Sequence, residues 1–150
     1  MDHLKGNAAA GWIKRYFMAS RELMEVILRP HDLGSTQWYV LWKLVNSGPT
    51  VQREFLDLLQ VEKATLSAVV SALVRKGFIV QTPGASDQRQ RVLSITPAGL
   101  ILWQGLPDPI DLILKLSFEG VDDAELAILV RVLQTATERL NHQLKEGSKT

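Results

Sequence analysis

A change in the spacing of apolar residues at Gly77 constrains the fold of this chain more than any other feature. Before Gly77, apolar residues recur three and four positions apart, which predicts the buried stripe of a helix. The stripe consists of Leu66, Val69, Val70 and Leu73. After Gly77 come two short runs of β-favouring residues, 78–82 and 91–95, separated by a segment rich in turn formers. The sequence therefore predicts a helix that Gly77 ends, followed by a β-hairpin.

The face of this helix opposite the stripe carries small, polar or basic side chains. They are Lys63, Ser67, Ala68, Ser71 and Arg75. A helix that is packed on one side and is small and polar on the other can enter the major groove of DNA. The segment 58–99 is therefore a candidate DNA-binding unit.

Charge is distributed unevenly along this nearly neutral chain. The formal net charge of all 150 residues is +1, whereas residues 75–91 hold four basic side chains and one acidic side chain. These are Arg75, Lys76, Arg89 and Arg91, with Asp87 as the acid. Clustered positive charge is typical of a surface that binds phosphates. On charge alone, a solvated basic hairpin is an equally good interpretation.

The segment before this unit reads as helices separated by strong breakers. A first helix covers roughly residues 9–28 and ends before Pro30, because the residue that precedes a proline disfavours helical geometry. A second helix follows the capping oxygens of residues 34–36 and ends at the breaker of residues 47–49. Thr50 is the predicted cap of a short third helix. Residues Gln60 and Val61 then form the turn into the helix that Gly77 ends.

The segment after the hairpin is also predicted to be helical. Thr96 and Pro97 predict a helix start, with a capping hydroxyl and a proline at the first helical position. This helix is interrupted at residues 106–109, which include two prolines. A last helix begins at Asp122, with Glu125 at the spacing of a capping box. We therefore expect a mainly α-helical domain with one small β-hairpin.

The two terminal helices both carry apolar faces. In the last helix the stripe consists of Leu126, Leu129, Leu133, Ala136, Leu140 and Leu144. Packing within the same chain is the usual fate of such a stripe. Because both helices lie at the chain ends, outside the central unit, we favour a homodimer interface.

Three successive motifs of the chain resemble the multiple-antibiotic-resistance regulator (MarR) family. Residues 73–79, LVRKGFI, are similar to the end of that family's recognition helix and its first wing strand. Residues 87–89, DQR, are similar to its wing tip, and residues 93–99, LSITPAG, to its return strand and next helix cap. The resemblance covers nearly the whole chain and implies a single winged helix-turn-helix domain of residues 1–150. Its parts are a DNA-binding lobe at about 33–98 and dimerisation helices at about 8–30 and 99–146.

The resemblance implies a homodimeric transcriptional regulator, commonly a repressor, bound to palindromic double-stranded DNA. It implies that Arg89 enters the minor groove and that Asp87 holds the guanidinium of Arg89, which suits a planar cation in a narrow groove. It places base contacts at Thr65, Ser67, Ala68 and Ser71, with Lys63 on the same face, and phosphate contacts at Arg75, Lys76 and Arg91. The alternative is a winged-helix protein-interaction module without DNA binding, which the small helix front favours and the basic wing disfavours.

The chain departs from the family pattern around the recognition helix. Gln60 stands where glycine is usual, so we expect another turn geometry there. Glu62 stands where a capping serine or threonine is common, and no arginine precedes Arg75 on the helix. We therefore expect the wing and the phosphate contacts to carry most of the affinity, with a steep dependence on salt.

The resemblance also implies a small aromatic or anionic effector, bound between the DNA-binding lobe and the dimer helices. The candidate ligand-binding residues are Trp12, Tyr16, Trp38 and Trp42, with Trp103 as a further aromatic side chain. Aromatic residues at helical spacing are more often packed in a core. Arg15, His31 or Arg53 could supply a polar contact, and the sequence does not choose among them.

Several other classes of protein lack support in the sequence. The chain has no cysteine, and His3, His31 and His142 are scattered, so no disulfide, thiolate or metal site is expected. No nucleophile elbow and no phosphate-binding glycine loop is present, so neither an enzyme nor a cofactor is expected. No apolar run reaches membrane-spanning length and the first residues do not resemble a signal peptide, so we expect a cytoplasmic protein without a membrane partner.

Overall fold

A computed structural model describes residues 1–148 as seven helices and three short strands, together with one turn of 3-10 helix. In chain order these are α1 (His3–Leu28), the 3-10 turn (Arg29–His31), α2 (Ser35–Ser47), β1 (Thr50–Val51), α3 (Glu54–Leu59), α4 (Lys63–Arg75), β2 (Ile79–Pro83), β3 (Arg91–Ile95), α5 (Pro97–Gly105), α6 (Pro109–Phe118) and α7 (Asp123–Gly147). The chain forms two compact units, Met1–Ile113 and a second that begins at Leu114. The predicted fold class, mainly helical with a small β wing, is confirmed.

The sheet has three antiparallel strands in the order β1-β3-β2, one strand more than the sequence predicted. Thr50 pairs with Leu93, and Ile79 pairs with Ile95. The prediction that Thr50 caps α3 is wrong, because Thr50 lies in β1 with a buried side chain whose hydroxyl donates to Gly48 O at 2.9 Å. A β-branched residue suits this buried, pleated position. Strand β1 therefore attaches the start of the helix-turn-helix to the wing.

The core of the first unit lies beneath α4 and joins it to the other helices and the sheet. Within α4, Leu66, Val70 and Leu73 are buried, and Val69 packs against the core with partial exposure, as the stripe predicted. Their neighbours in the core include Leu41, Leu44, Phe55, Ile79 and Leu93. This packing fixes which face of α4 remains in solvent.

The turn between α3 and α4 depends on a left-handed Gln60. Its dihedral angles are φ 52° and ψ 47°, so the expectation that this turn uses another geometry is wrong. Gln60 itself adopts the conformation that glycine usually provides, at a cost of about 1 kcal/mol. Its side-chain amide donates to Asp57 O at 2.6 Å, and its backbone N–H donates to Leu56 O. Local hydrogen bonds thus hold a turn that the residue type alone disfavours.

Gly77 ends α4 as predicted and Thr96 fastens the base of the wing to it. Gly77 has φ 80°, and the backbone N–H of Phe78 donates to Leu73 O at 3.1 Å, which closes the last turn of the helix. The hydroxyl of Thr96 donates to Gly77 O at 2.6 Å and accepts from the N–H of Gly99 at 3.0 Å. Thr96 therefore caps α5, as predicted, and also holds the end of α4.

The remaining helix ends match the predictions in part. Helix α1 begins at His3, earlier than expected, because the Asp2 side chain accepts from two backbone amides of the first turn. At α2 no side-chain oxygen of residues 34–36 caps the helix. Instead the N–H of Gly34 donates to Gln37 Oε1 at 3.4 Å, and the N–H of Ser35 donates to the Glu25 carboxylate at 3.0 Å. The break between α5 and α6 is present as predicted. Among residues 1–148, no helix is both long enough and apolar enough to cross a membrane.

The second unit contains the end of α6 and the whole of α7. Asp122 and Glu125 form the predicted capping box at the start of α7. None of the 25 residues of α7, all of which the structure describes, is buried. Its apolar stripe is therefore largely open.

Candidate nucleic-acid interface

Helices α3 and α4 and the turn at Gln60 form a helix-turn-helix whose second helix presents its predicted front to solvent. The core beneath α4 orients this face. Every predicted contact residue on it is exposed: Lys63, Thr65, Ser67, Ala68, Ser71 and Arg75. Most of these side chains are short, so the helix backbone could approach a groove closely.

The wing tip is a short loop that hydrogen bonds close upon itself. The N–H of Gly84 donates to Gln90 O at 2.9 Å, and the N–H of Gln90 donates to Asp87 O at 3.1 Å. Asp87 Oδ1 accepts from the backbone N–H of Arg89 at 2.9 Å. The structure thus differs from the expectation that Asp87 holds the guanidinium of Arg89. The carboxylate fixes the main chain at Arg89, whose side chain is exposed.

A cleft of about 350 Å³ separates α4 from the wing. Three segments line it: the β1–α3 junction with the start of α3, helix α4, and the wing. The lining residues are Val51, Gln52, Arg53 and Leu56 from the first, Lys63, Leu66 and Ser67 from the second, and Asp87, Arg89, Gln90 and Arg91 from the third. Four of these residues are basic and one is acidic. Convergent cations on a concave surface attract anions, because their electrostatic fields add within the cleft.

Arg53 lines this cleft, although the sequence did not place it among the predicted DNA-binding residues. The sequence offered it as one possible polar contact for an effector, whereas the structure places it beside Lys63, Arg89 and Arg91. Strand β1 brings it there, and a two-residue strand leaves no periodic signal in a sequence.

Lys76 differs from its neighbour Arg75 in having partners within the protein. Its ammonium donates to Asp32 O and to Gln37 Oε1, the latter at 3.2 Å, and lies 3.5 Å from Asp32 Oδ2. The Lys76 side chain is 27% exposed, and Asp32 is in the left-handed conformation, with φ 55°. Lys76 therefore ties the end of α4 to the corner between α1 and α2, whereas Arg75 is exposed.

A second cleft, of about 290 Å³, brings three of the predicted aromatic residues together. Its lining is Trp38, Trp42, Val45, Asn46, Trp103, Leu106, Pro107 and Asp108. The Trp38 and Trp103 rings lie 5.3 Å apart between centroids, and the Trp38 ring is buried, with an indole N–H that has no hydrogen-bond partner within the described part of the chain.

The other two predicted ligand-binding residues do not line this cleft. Trp12 and Tyr16 are exposed on α1, and the Arg15 guanidinium lies 5.1 Å from the centroid of the Trp12 ring. None of the cleft's lining residues is basic, so Arg15, His31 and Arg53 supply no polar contact to it.

Comparison with known proteins finds helix-turn-helix transcriptional regulators. The MarR family model matches residues 33–90. The transcriptional repressor IacR of Pseudomonas putida is 25% identical over 86% of this chain and 77% of its own length. An uncharacterized HTH-type transcriptional regulator of Staphylococcus aureus is 30% identical to this chain over a matched region. That region makes up 55% of this chain and 57% of the Staphylococcus protein.

Solved structures share the fold over most of the chain. A MarR-like regulator from Bacillus cereus has a TM-score of 0.78 at 16% identity and covers 91% of this chain and 99% of its own. The structure of BpsR from Bordetella bronchiseptica has a TM-score of 0.73 at 19% identity. The match covers 85% of this chain and 91% of the BpsR chain. MarR of E. coli in complex with operator DNA gives 0.72 at 20% identity, with the same coverages. At these identities the likeness establishes the fold.

A recognition helix backed by a buried core, followed by a hairpin that a third strand completes, defines the class as a winged helix-turn-helix protein. Residues 33–90 match the model of the MarR family, and MarR-like regulators are among the solved structures that share the fold of the chain. The curated relatives that match are named as HTH-type transcriptional regulators.

Proposed function

We propose that this protein binds palindromic double-stranded DNA sequence-specifically, as a homodimer, and represses transcription until a small molecule releases it. The observation that carries the DNA-binding part is the basic cleft beside the exposed front of α4. Three chain segments converge there with four cations and one carboxylate, a balance that favours a polyanion. The lobe at about 33–98 would do the binding and the flanking helices the dimerisation.

In this proposal α4 enters the major groove and the wing follows the adjacent minor groove. Thr65, Ser67, Ala68 and Ser71 face the base edges, and Lys63 and Arg75 flank them. Arg89 enters the minor groove from a main chain that Asp87 holds, and Arg91 binds phosphate. Lys76 makes at most a secondary phosphate contact, because its ammonium already has three oxygen neighbours.

The homodimer is supported by apolar side chains that the single chain leaves in water. Helix α1 exposes Trp12, Ile13, Tyr16 and Phe17, and α7 exposes Ile128, Leu129, Val132, Leu140 and Leu144. Apolar patches of this kind mark association surfaces in soluble proteins. A two-fold dimer would set its two α4 helices about 34 Å apart, one turn of DNA.

The effector part of the proposal is supported by the tryptophan cleft. Among the similar proteins, IacR is named a repressor, and 6-hydroxynicotinic acid regulates the DNA binding of BpsR. In this chain the cleft between Trp38, Trp42 and Trp103 suits a small aromatic ring. Since Asp108 lines it and no basic residue does, we favour an uncharged aromatic effector over an anionic one.

Footprinting on the DNA upstream of the protein's own gene tests the proposal. The expected result is one protected segment with two half-sites about 10 base pairs apart, centre to centre. Light scattering would give a mass of two chains. The absence of any protected segment, with no difference between wild type and Arg89→Ala in the background retention of genomic DNA, would instead favour the protein-interaction module.

Titration of tryptophan fluorescence tests the effector separately. Phenol should change the emission and loosen DNA binding more than benzoate, and Trp42→Phe should reduce the change. Trp12→Phe is the matched control, because Trp12 lies outside the cleft. A flat response to both compounds, with DNA binding unaltered, would remove this cleft from the proposal.

A further inference from the structure

We propose that Arg53 binds a phosphate of the DNA backbone at the mouth of the cleft between α4 and the wing. This inference rests on the proposed DNA binding and adds a contact that the family motifs in the sequence did not assign. It makes the β1–α3 junction a third anchoring point beside α4 and the wing. The position of Arg53, the anchoring of the backbone around it and its charge each support this role.

The main chain on either side of Arg53 is fixed to the wing and to the core. The N–H of Gln52 donates to Arg91 O at 2.8 Å, which continues the pairing of β1 with β3. On the other side, the N–H of Phe55 donates to Gln52 O at 3.1 Å, and the Phe55 side chain is fully buried. Arg53 thus projects from an anchored backbone, although it lies between a strand and a helix.

A side-chain hydrogen bond ties the same junction to the other wing strand. Gln81 Nε2 donates to Gln52 Oε1 at 2.5 Å and so links β2 to the residue that follows β1, across the central strand β3. Motion of the wing therefore carries the Arg53 backbone with it. An anchored backbone at Arg53 loses less conformational freedom than a mobile loop would when the side chain meets a phosphate.

The charge of Arg53 is available to a ligand. The residue is exposed and makes no ion pair within residues 1–148. It lines the cleft with three other cations, Lys63, Arg89 and Arg91, and one oxygen of the lone carboxylate, Asp87, is engaged by a backbone amide. Mutually repelling cations on one concave surface are stabilised by an anion between them.

The position of the cleft identifies the anion as a DNA phosphodiester. Ser67, on the exposed front of α4, forms part of the cleft wall. An anion seated there is continuous with the face that would lie in the major groove. A guanidinium can donate two parallel hydrogen bonds to its phosphate oxygens.

Fluorescence anisotropy with a labelled duplex of unrelated sequence, titrated at several salt concentrations, tests this role. Arg53→Gln removes the charge and keeps most of the length, whereas Arg53→Lys keeps the charge. We expect Arg53→Gln to weaken binding about tenfold and to reduce the slope of log K against log salt by about one unit per bound protomer. Arg53→Lys should retain the wild-type slope. Arg29→Gln is the matched control, because it makes the same change at an exposed arginine that does not line the cleft.

Each outcome decides the proposal. If both Arg53 variants keep the wild-type slope, Arg53 does not bind phosphate. If Arg53→Lys loses as much DNA affinity as Arg53→Gln, Arg53 has a structural role and the inference is wrong. The same conclusion follows if circular dichroism shows that Arg53→Gln does not fold. If the wild-type protein binds no duplex at all, the proposed function itself fails, which is a distinguishable result.

Discussion

The carboxylate of Asp87 accepts a hydrogen bond from the backbone N–H of Arg89, two residues further along the wing tip. The bond orients the main chain at Arg89 and leaves the guanidinium exposed. Asp87 therefore acts through the shape of the loop, and its negative charge is not needed for that task.

Substitutions of Asp87 separate these two roles. Asparagine keeps an oxygen acceptor for the Arg89 amide, so Asp87→Asn should bind DNA within about twofold of wild type. Asp87→Ala loses the bond and should weaken binding about fivefold to tenfold. Anisotropy on a common duplex measures both. Equal losses for the two variants would indicate that the charge of Asp87 steers the guanidinium after all.

Alanine substitutions of the adjacent basic residues Lys76 and Arg75 should affect protein stability and DNA binding differently. Lys76→Ala removes the tie to Asp32 and Gln37, and we expect it to lower the free energy of unfolding by about 0.5–1 kcal/mol. Arg75→Ala should leave stability within about 0.5 kcal/mol of wild type and weaken DNA binding more than Lys76→Ala does. Urea denaturation and anisotropy together provide the test, and the reverse ranking would make Lys76 the phosphate ligand.

The left-handed Gln60 predicts an unusual order of stabilities at the α3–α4 turn. Gln60→Gly relieves the backbone strain and should be at least as stable as wild type, although it loses the bond to Asp57 O. Gln60→Val should be less stable by about 1–2 kcal/mol, because β-branched residues rarely adopt positive φ. Thermal unfolding of the three proteins checks the order. A valine variant as stable as the glycine variant would contradict the turn geometry.

Two glycines of α5 should respond to alanine in opposite directions. A Cβ on Gly99 would collide with Phe78 O and with the Ile95 side chain, so Gly99→Ala should destabilise the protein by about 1–3 kcal/mol. Gly105 faces open space, and Gly105→Ala should be neutral or stabilising by up to about 1 kcal/mol. Chemical denaturation measures both. Similar midpoints for the two variants would mean that α5 does not pack against the wing base as described.

The sequence predicted features that depend on residues close together in the chain. Gly77, the Thr96 cap and the capping box of Asp122 and Glu125 are all local signals, and all are confirmed. The sequence predicted a contact of Asp87 with the Arg89 guanidinium, whereas the structure shows a contact with the Arg89 backbone N–H, and spacing rules do not distinguish these two donors. Gln60 was misread because hydrogen bonds to α3 override its intrinsic preference.

Features that depend on distant residues could not be predicted in this way. Strand β1 has only two residues, and they pair with Leu93 and Val92, which are far away in the sequence. A strand this short has no apolar periodicity from which it could be predicted. The position of Arg53 in the basic cleft follows from that pairing. Likewise the partners of Lys76 lie 39 and 44 residues earlier, around a left-handed Asp32. In both cases tertiary contacts decide what a basic side chain meets.

The salt dependence of DNA affinity is the sharpest check on the proposal that the wing and the phosphate contacts carry the binding. The affinity of the wild-type protein for duplex DNA should fall roughly a thousandfold between 50 mM and 200 mM salt, which corresponds to about six phosphate contacts per dimer. Arg89→Ala should bind more weakly at every salt concentration and with a shallower slope. An affinity that barely changes over this range, or an Arg89→Ala variant that binds as wild type does, would show that the wing and the phosphates do not carry the binding.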